Sequence, residues 1–390
     1  MKKETRITHQ PQVPLVKGNR PLTDPTYRSV KFTFPTIADS MTAEARSSGF
    51  EYTRDSNPTT RQLELLCAEL QDRDDAIAVG TGMASVWLAL LGNLSAGDRV
   101  VIFLESYRPT RIAVRKFLPR YGIAFEMVSL HDRKAVESAF VLEDTKAVLF
   151  ESPTNPMLQI PDIEAILGLA EQHGVATILD NTFAGFHNHG QYAIDFFVHS
   201  LTKYAGGHGD VMGGIVIGSA DKIRRLKPLA VNMGATLDPG AAYYILRGMK
   251  TYYLRYERHC QNAQALAEYL VSRPEVAEVI YPGLKNHPDS ALAAKQMHDF
   301  GGVLSFSLKN ADRERTWAFI DALQLHVTAS SLGSTDSLAA PVQLYLGTDL
   351  SDEEQAEAQI SESTVRLAVG IEHIDDLIAD VAQALDATFS

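Results

Sequence analysis

HSLTKYAGGHGDVMGG, residues 199–214, decides how the rest of the chain is read. Lys203 stands at its centre, with Ser200 and Thr202 just before it and glycines at 206, 207 and 209 after it. A lysine amine is a weak nucleophile while protonated, so one that forms a Schiff base must sit where burial or a neighbouring cation lowers its pKa. Hydroxyl groups can bond a phosphate, and glycines let backbone amides approach it closely. Both features meet in one ligand, pyridoxal 5'-phosphate (PLP), an aldehyde that carries a phosphate. A glycine-rich surface loop with an ordinary lysine would show the same letters, so the surrounding chain must decide.

Upstream, the pattern alternates. PTTRQLELLCAELQDRD, from residue 58, has apolar residues at 63, 66 and 70, the spacing of one helix face. AIAV (76–79) reads as a short buried strand, GTGMAS opens a helix to about residue 94, and GDRVVIFL supplies the next strand. A helix over 109–118, strands IAFEMV and KAVLFE (146–151), a helix near 162–172 and the strand VATILD (175–180) follow. Strands alternating with helices predict an α/β fold with a mostly parallel sheet covered on both faces. Beyond about residue 245 long helices take over, at 250–272 and 290–298, followed by GGVLSFSL, a helix at 312–323, VRLAVGI and a last helix from 374. That rhythm predicts a smaller C-terminal α+β domain. Residues 1–58 are rich in Pro, Thr and polar residues without a helical period, and read as an extended arm that packs on something else. The expected division is therefore an arm over 1–58, a large domain over 59–248 and a C-terminal domain over 249–390.

In such sheets ligands bind beyond the carboxyl ends of the strands. Asp180 ends VATILD, so its carboxylate can face the same crevice as Lys203 and hold a proton on a pyridine nitrogen. A turn former or helix cap at a strand end is the bland alternative. Gly80-Thr81-Gly82-Met83 lies between a strand and a helix, where free amides favour an anion. The same segment, with Glu105 near the end of the next strand, approximates a dinucleotide fingerprint, although Ser85 replaces the third glycine. A nicotinamide oxidoreductase is thus a rival, and it leaves Lys203 without a role.

Composition sets bounds. The 390 residues, 45% hydrophobic and 22% charged, suit two domains with a sizeable core. A formal charge of -12 argues against a nucleic-acid surface and for a small-molecule partner. No apolar run is long enough for a bilayer, and MKKETRITHQPQVP has no apolar stretch after its lysines, so no membrane partner and a cytoplasmic location are expected. Cys67 and Cys260, the only cysteines, form neither a disulfide framework nor a zinc spacing. His187-Asn188-His189 offers a His-x-His with no outlying third ligand, which reads as a polar loop, so no metal is expected.

Taken together, these residues resemble the PLP enzymes of cysteine and methionine metabolism, the trans-sulfuration group of cystathionine γ-synthase, the cystathionine lyases and methionine γ-lyase. FEYTRDSNPTT, GTGMAS, SYRPT, ESPTNP, ILDNTF, HSLTKYAGGHGD, LRGMKT, YPGLKNHPDS, SSLGSTDSL and VRLAVGIE appear in the family's order nearly end to end. The resemblance implies a fold-type I PLP-dependent transferase fold, like that of aspartate aminotransferase. It makes Lys203 the cofactor-bearing lysine, Asp180 the partner of the ring nitrogen and Tyr107 the residue stacked on the ring. Gly82, Met83, Ser200 and Thr202 would hold the phosphate, joined by Tyr52 and Arg54 reaching in from a neighbouring subunit. Asn155 would lie near the ring hydroxyl, and Ser331 with Arg366 would hold the substrate α-carboxylate. Glu51 matches an acid found in members that handle cystathionine.

The implied activity is elimination or replacement at the γ carbon of a sulfur-containing or O-activated amino acid, in a homo-oligomer with shared sites, a homotetramer. Departures blur the substrate. Arg108-Pro109 after the tyrosine resembles β-lyases, YTRDSNPT the γ side. Ser330 stands where several γ enzymes carry glutamate, and Ala339-Ala340-Pro341 where many have His-Pro. Arg108 adds a fixed positive charge near the crevice and a substrate-binding candidate. Cystathionine β-lyase-type β-elimination, a γ-replacement in a specialised pathway and a non-catalytic binding subunit are the alternatives; intact Lys203, Asp180 and Tyr107 speak against the last.

Overall fold

Short apolar runs framed by turn formers become the strands of a seven-stranded sheet in the computed structural model, which describes residues 15, 17–42 and 49–389. The strands are β1 (Asp75–Val79), β2 (Arg99–Phe103), β3 (Ala124–Val128), β4 (Thr145–Glu151), β5 (Ala176–Asp180), β6 (Phe196–Ser200) and β7 (Gly214–Gly218), in spatial order β1-β7-β6-β5-β4-β2-β3. The five from β6 to β3 run parallel, and β7 is antiparallel to both β1 and β6. Because successive side chains point to opposite faces, each strand feeds two cores. Val101 and Phe103 of β2 join one buried cluster, while Val100 and Ile102 join the other. Two buried faces account for the near-continuous apolar strands and the helices on both sides.

Helix starts follow local chemistry. Asn57 caps α1 (Pro58–Leu70) by accepting from Thr59 N, and Thr81 caps α2 (Gly82–Leu91) by accepting from Ala84 N. Further helices are α3 (Arg133–Val141), α4 (Ile163–His173), α5 (Ala220–Met233), α6 (Pro239–Met249) and α7 (Tyr252–Val271). After them comes a second, smaller sheet in the order β10-β11-β12-β9-β8, built from β8 (Val276–Ile280), β9 (Val303–Leu308), β10 (Val327–Thr328), β11 (Leu338–Pro341) and β12 (Thr364–Ala368). Leu266 and Leu270 of α7, Phe306 of β9, Phe319 and Val381 pack into its own core.

The structure adds three details to the expected elements. His199 and Ser200, the first residues of the quoted stretch, close β6, whose apolar FFVHS is buried on both faces apart from its last residue. The helix expected at 250–272 is preceded by a separate one, α6, with Thr251 between Met249 and Tyr252 at the break. The helix expected at 109–118 changes pitch, from α over Arg108–Ile112 to a π turn over Ala113–Phe117 and a 3-10 turn over Leu118–Tyr121. Within the first 58 positions, the described residues form one bridge, Lys31 with Tyr52, and a single helical turn, Ile37–Ser40. Among the described residues the buried apolar set starts only at Leu63. No described helix is long and apolar enough to cross a membrane.

Candidate active site

At the carboxyl ends of β4, β5 and β6, where parallel strands leave room before their helices begin, a cavity of about 310 Å³ opens toward the second sheet. Glu151 and Asp180 are register partners at the ends of β4 and β5, and Ser200 ends β6. Lys203 follows three residues later, half-buried. Its Nζ donates to Ser331 Oγ at 2.8 Å. Burial first, and then the Arg366 charge, lower the Lys203 pKa to about 8. The amine is thereby far easier to deprotonate than an exposed lysine.

Arg366 enters from the centre of β12, 3% exposed. It donates from Nη1 to Asn155 Oδ1 at 2.8 Å and from Nη2 to Ser331 O at 3.2 Å, while its Nε has no partner. Burial lowers its pKa to about 10, still charged at neutral pH. Among the described residues no carboxylate pairs with this buried guanidinium, whose bonds go to Asn155 Oδ1 and Ser331 O. On the cavity floor, Asp180 Oδ1 accepts from Thr182 N at 3.1 Å and from Thr182 Oγ1 at 2.6 Å. Burial raises the Asp180 pKa, and the two Thr182 bonds oppose that rise. Glu151 accepts from Tyr107 N at 2.6 Å and Asn155 N at 3.2 Å. Burial and the Asp180 charge push its carboxyl well above the usual range. Tyr107 is likewise pushed up by burial, with the Arg366 and Arg108 charges acting the other way.

The rim of β1 is built for close approach. A Cβ added at Gly82 would stand 2.7 Å from Ser200 Cβ, and one at Gly214 would stand 2.1 Å from Thr81 O. Only glycines let the start of α2 press against β6 and β7 there, so Gly82, Met83, Ser200 and Thr202 line one end of the cavity. Tyr107, Arg108, Asn155, Asp180, Lys203, Ser331 and Arg366 line the rest, so eleven of the fourteen expected site residues meet in one place. Glu51, Tyr52 and Arg54 do not. They lie outside the cavity, with the Arg54 guanidinium 5.3 Å from the Tyr52 ring centre.

Sequence reasoning missed Glu151 and Thr182. Glu151 ends an apolar strand just as Asp180 does, and the same strand-end rule applied to KAVLFE would have nominated it. Thr182 lies within the quoted ILDNTF; an Asp followed two residues later by a hydroxyl residue is a turn pattern in which the side chains bond each other. The rival dinucleotide reading loses its acidic residue, because Glu105 accepts from Ser129 Oγ at 2.7 Å and from Leu130 N. The HNH triplet serves packing: His189 Nδ1 bonds Asn181 Oδ1 at 2.7 Å, and Asn188 donates to Ala184 O and Asp299 O. Among the described residues no group of three or more His, Cys, Asp or Glu is placed to hold a metal.

PLP fits this cavity on the chemistry of its donors. A lysine with pKa near 8 suits the aldehyde, Asp180 Oδ2 carries no hydrogen bond and suits the ring nitrogen, and the Gly82 shelf with Ser200 and Thr202 suits a phosphate. A mostly parallel sheet with this lysine just beyond β6 defines a fold-type I PLP-dependent enzyme. The comparisons agree. The family model for Cys/Met metabolism PLP-dependent enzymes matches residues 6–386. L-methionine gamma-lyase from Pseudomonas putida is 38% identical over 98% of this chain and 97% of its own. Cystathionine beta-lyase from Lactococcus lactis is 37% identical over 86% of this chain and 88% of its own. The structure of cystathionine gamma synthase from Xanthomonas oryzae pv. oryzae, in complex with aminoacrylate and cysteine, superposes with a TM-score of 0.89 at 32% identity, covering 94% of this chain and 93% of that one. The chain belongs to the Cys/Met metabolism PLP-dependent enzyme family.

Proposed function

We propose that the protein catalyses PLP-dependent elimination or replacement at the γ carbon of a sulfur-containing or O-activated amino acid. The observation that carries this reading is the line Lys203–Ser331–Arg366, which puts a low-pKa amine beside a buried guanidinium without a carboxylate. An α-amino acid presents the complementary pair. PLP, when bound, supplies an aldehyde that captures the substrate amine and a ring that accepts electrons from the α carbon.

The chain's own residues do the rest. Arg366, held by Asn155 and the Ser331 carbonyl, binds the substrate carboxylate and so fixes which α bond faces Lys203. Lys203 Nζ, once unprotonated, takes the α proton and can deliver or remove a proton at the β carbon next to it. The Tyr107 phenol is held protonated by burial and can hand a proton to a departing group. Asp180 would hold the ring nitrogen of the bound cofactor and keep it protonated. Asp180→Asn is expected to retain cofactor, seen by its visible absorbance, but to lose turnover by ~10²-fold or more, since a neutral amide no longer favours the charged ring. Near wild-type rates would show that Asp180 has another task.

The methionine γ-lyase relative, aligned over nearly the whole chain, favours γ chemistry, while Tyr107-Arg108-Pro109-Thr110 and the β-lyase relative keep β-elimination as the second reading. Identifying the keto acid separates them. Incubation with methionine, cystathionine and O-acyl homoserines should yield 2-oxobutyrate; pyruvate alone would establish β chemistry instead. Where a second nucleophile replaces the leaving group, the enzyme acts as a transferase. The same proposal divides the chain into an arm (1–58), a PLP domain (59–248) and a C-terminal domain (249–390). It takes the protein to be a homotetramer in which Tyr52 and Arg54 of the arm complete the phosphate site of a neighbouring subunit and Glu51 reaches its substrate. That the described arm residues include no buried apolar side chain supports that assignment.

A further inference from the structure

Five ionisable side chains other than tyrosine line the cavity: Arg108, Glu151, Asp180, Lys203 and Arg366. Four of them have a local task. Glu151 is spent on the backbone amides of Tyr107 and Asn155, Asp180 is bonded to Thr182, Lys203 to Ser331, and Arg366 to Asn155 and Ser331. Arg108 stands apart. Its nearest acid is Asp349, with Nε 3.7 Å from Oδ1, too far for a hydrogen bond. That carboxylate is already held on both oxygens by Arg111, from Nη2 to Oδ1 at 2.8 Å and from Nε to Oδ2 at 3.0 Å. Arg111 is fully buried and fixed further by the Leu346 carbonyl at 2.6 Å, so it will not yield Asp349 to a neighbour. Arg108 Nε is itself buried without a partner, while 37% of its side chain remains exposed. The result is a cation next to Tyr107, held at the cavity wall, whose one ion pair among the described residues is a long contact to a carboxylate that Arg111 already holds on both oxygens.

We propose that Arg108 binds the far end of the substrate and selects for an anionic γ-substituent, an ester of a dicarboxylic acid or of phosphoric acid. This deepens the γ-carbon reading and rests on it. The α-carboxylate takes Arg366 and the substrate amine is the group exchanged with Lys203, which leaves Arg108 as the cation for a second anion. In a chain of formal charge -12, a partly exposed guanidinium in a recessed cavity, sharing its only nearby carboxylate with Arg111, also helps to draw such a substrate in. Guanidinium is suited to both carboxylate and phosphate through its paired N–H groups.

The test uses the PLP-loaded enzyme and four probes: O-phospho-L-homoserine, O-succinyl-L-homoserine, O-acetyl-L-homoserine and L-methionine. The wild-type enzyme should give a higher kcat/KM for at least one anionic ester than for O-acetyl-L-homoserine. Arg108→Gln should cut the anionic-to-neutral ratio of kcat/KM by about tenfold or more, mainly through KM, the scale of a lost hydrogen bond to a charged group. Arg108→Lys, which keeps the charge but not the fork, should restore part of the ratio. A fall confined to the phosphate ester or to the succinyl ester identifies which anion the site takes. A ratio that stays within twofold in Arg108→Gln, or rates that fall equally for all probes, would assign Arg108 to structure and overturn the inference alone. A wild-type preference for the neutral ester would do the same. Turnover of none of the four, by an enzyme shown to carry cofactor, would overturn the γ-carbon reading and this inference with it.

Discussion

Lys203→Met is expected to abolish covalent fixation of the cofactor by borohydride and to lower turnover by ~10³-fold or more, since the one group that can both bind the aldehyde and move the α proton is gone. Mass spectrometry of peptides from the reduced protein checks the first effect; a pyridoxyl group on any other lysine would overturn the assignment. The same variant has a second expected effect, on the cofactor-free protein. Lys203 titrates near 8 in the folded chain against 10.5 when exposed, because burial and the Arg366 charge disfavour its ammonium. Between these values the unfolded chain holds a proton that the folded chain has released, so stability rises with pH across that window. Below pH 8 the folded state carries the buried charge in full, a cost on the order of 3 kcal/mol. Methionine removes that charge. Urea unfolding should therefore find Lys203→Met more stable than the wild type at neutral pH, by an advantage that shrinks toward pH 10.5. A difference independent of pH would mean that the lysine is not desolvated.

What could be read in advance divides along physical lines. The strands β1 to β5 are legible because each is a local apolar run with polar ends, and Asp180 is legible because a strand end fixes where a side chain goes. Lys203 is nominated by its neighbours, the hydroxyls at Ser200 and Thr202 and the glycines after it, but the rest of the chain is needed to tell that reading from a glycine-rich surface loop. β6 carries no separate signal, because its last two residues open that same conspicuous stretch. β7, made of GIVIG, is short and antiparallel, a pairing that no local pattern announces. Glu151 escaped for a different reason, since its bond to Tyr107 N exists only once the strands are side by side, whereas the Thr182 bond to Asp180 is local and ILDNTF carries its pattern. Arg108 shows the limit most clearly. Sequence gives its charge, but that its nearest carboxylate is already held follows only from Arg111 bonding Asp349 on both oxygens.

Mixing two inactive variants is expected to restore activity, because the proposed site needs Lys203 from one chain and Arg54 from another. The arm that carries Tyr52 and Arg54 lies outside the cavity of its own chain, and buried apolar residues among the described ones begin only at Leu63. Among the described residues, the contact recorded for the Arg54 side chain is the one with the Tyr52 ring. Lys203→Met and Arg54→Ala homodimers should each be nearly inactive, the first for want of the base and the second for want of a phosphate contact. In a hybrid dimer two-fold symmetry puts both defects into one site and leaves the other with an intact lysine and an intact arm. When the two variants are mixed in equal amounts and allowed to exchange subunits, ~half of the dimers are hybrids, each with one good site. About a quarter of wild-type activity should return, with wild-type KM in the restored sites. Subunit exchange is verified independently by a mass tag on one variant. If tagged hybrids form and activity stays at the level of the parents, the arm serves its own chain and the shared site is wrong.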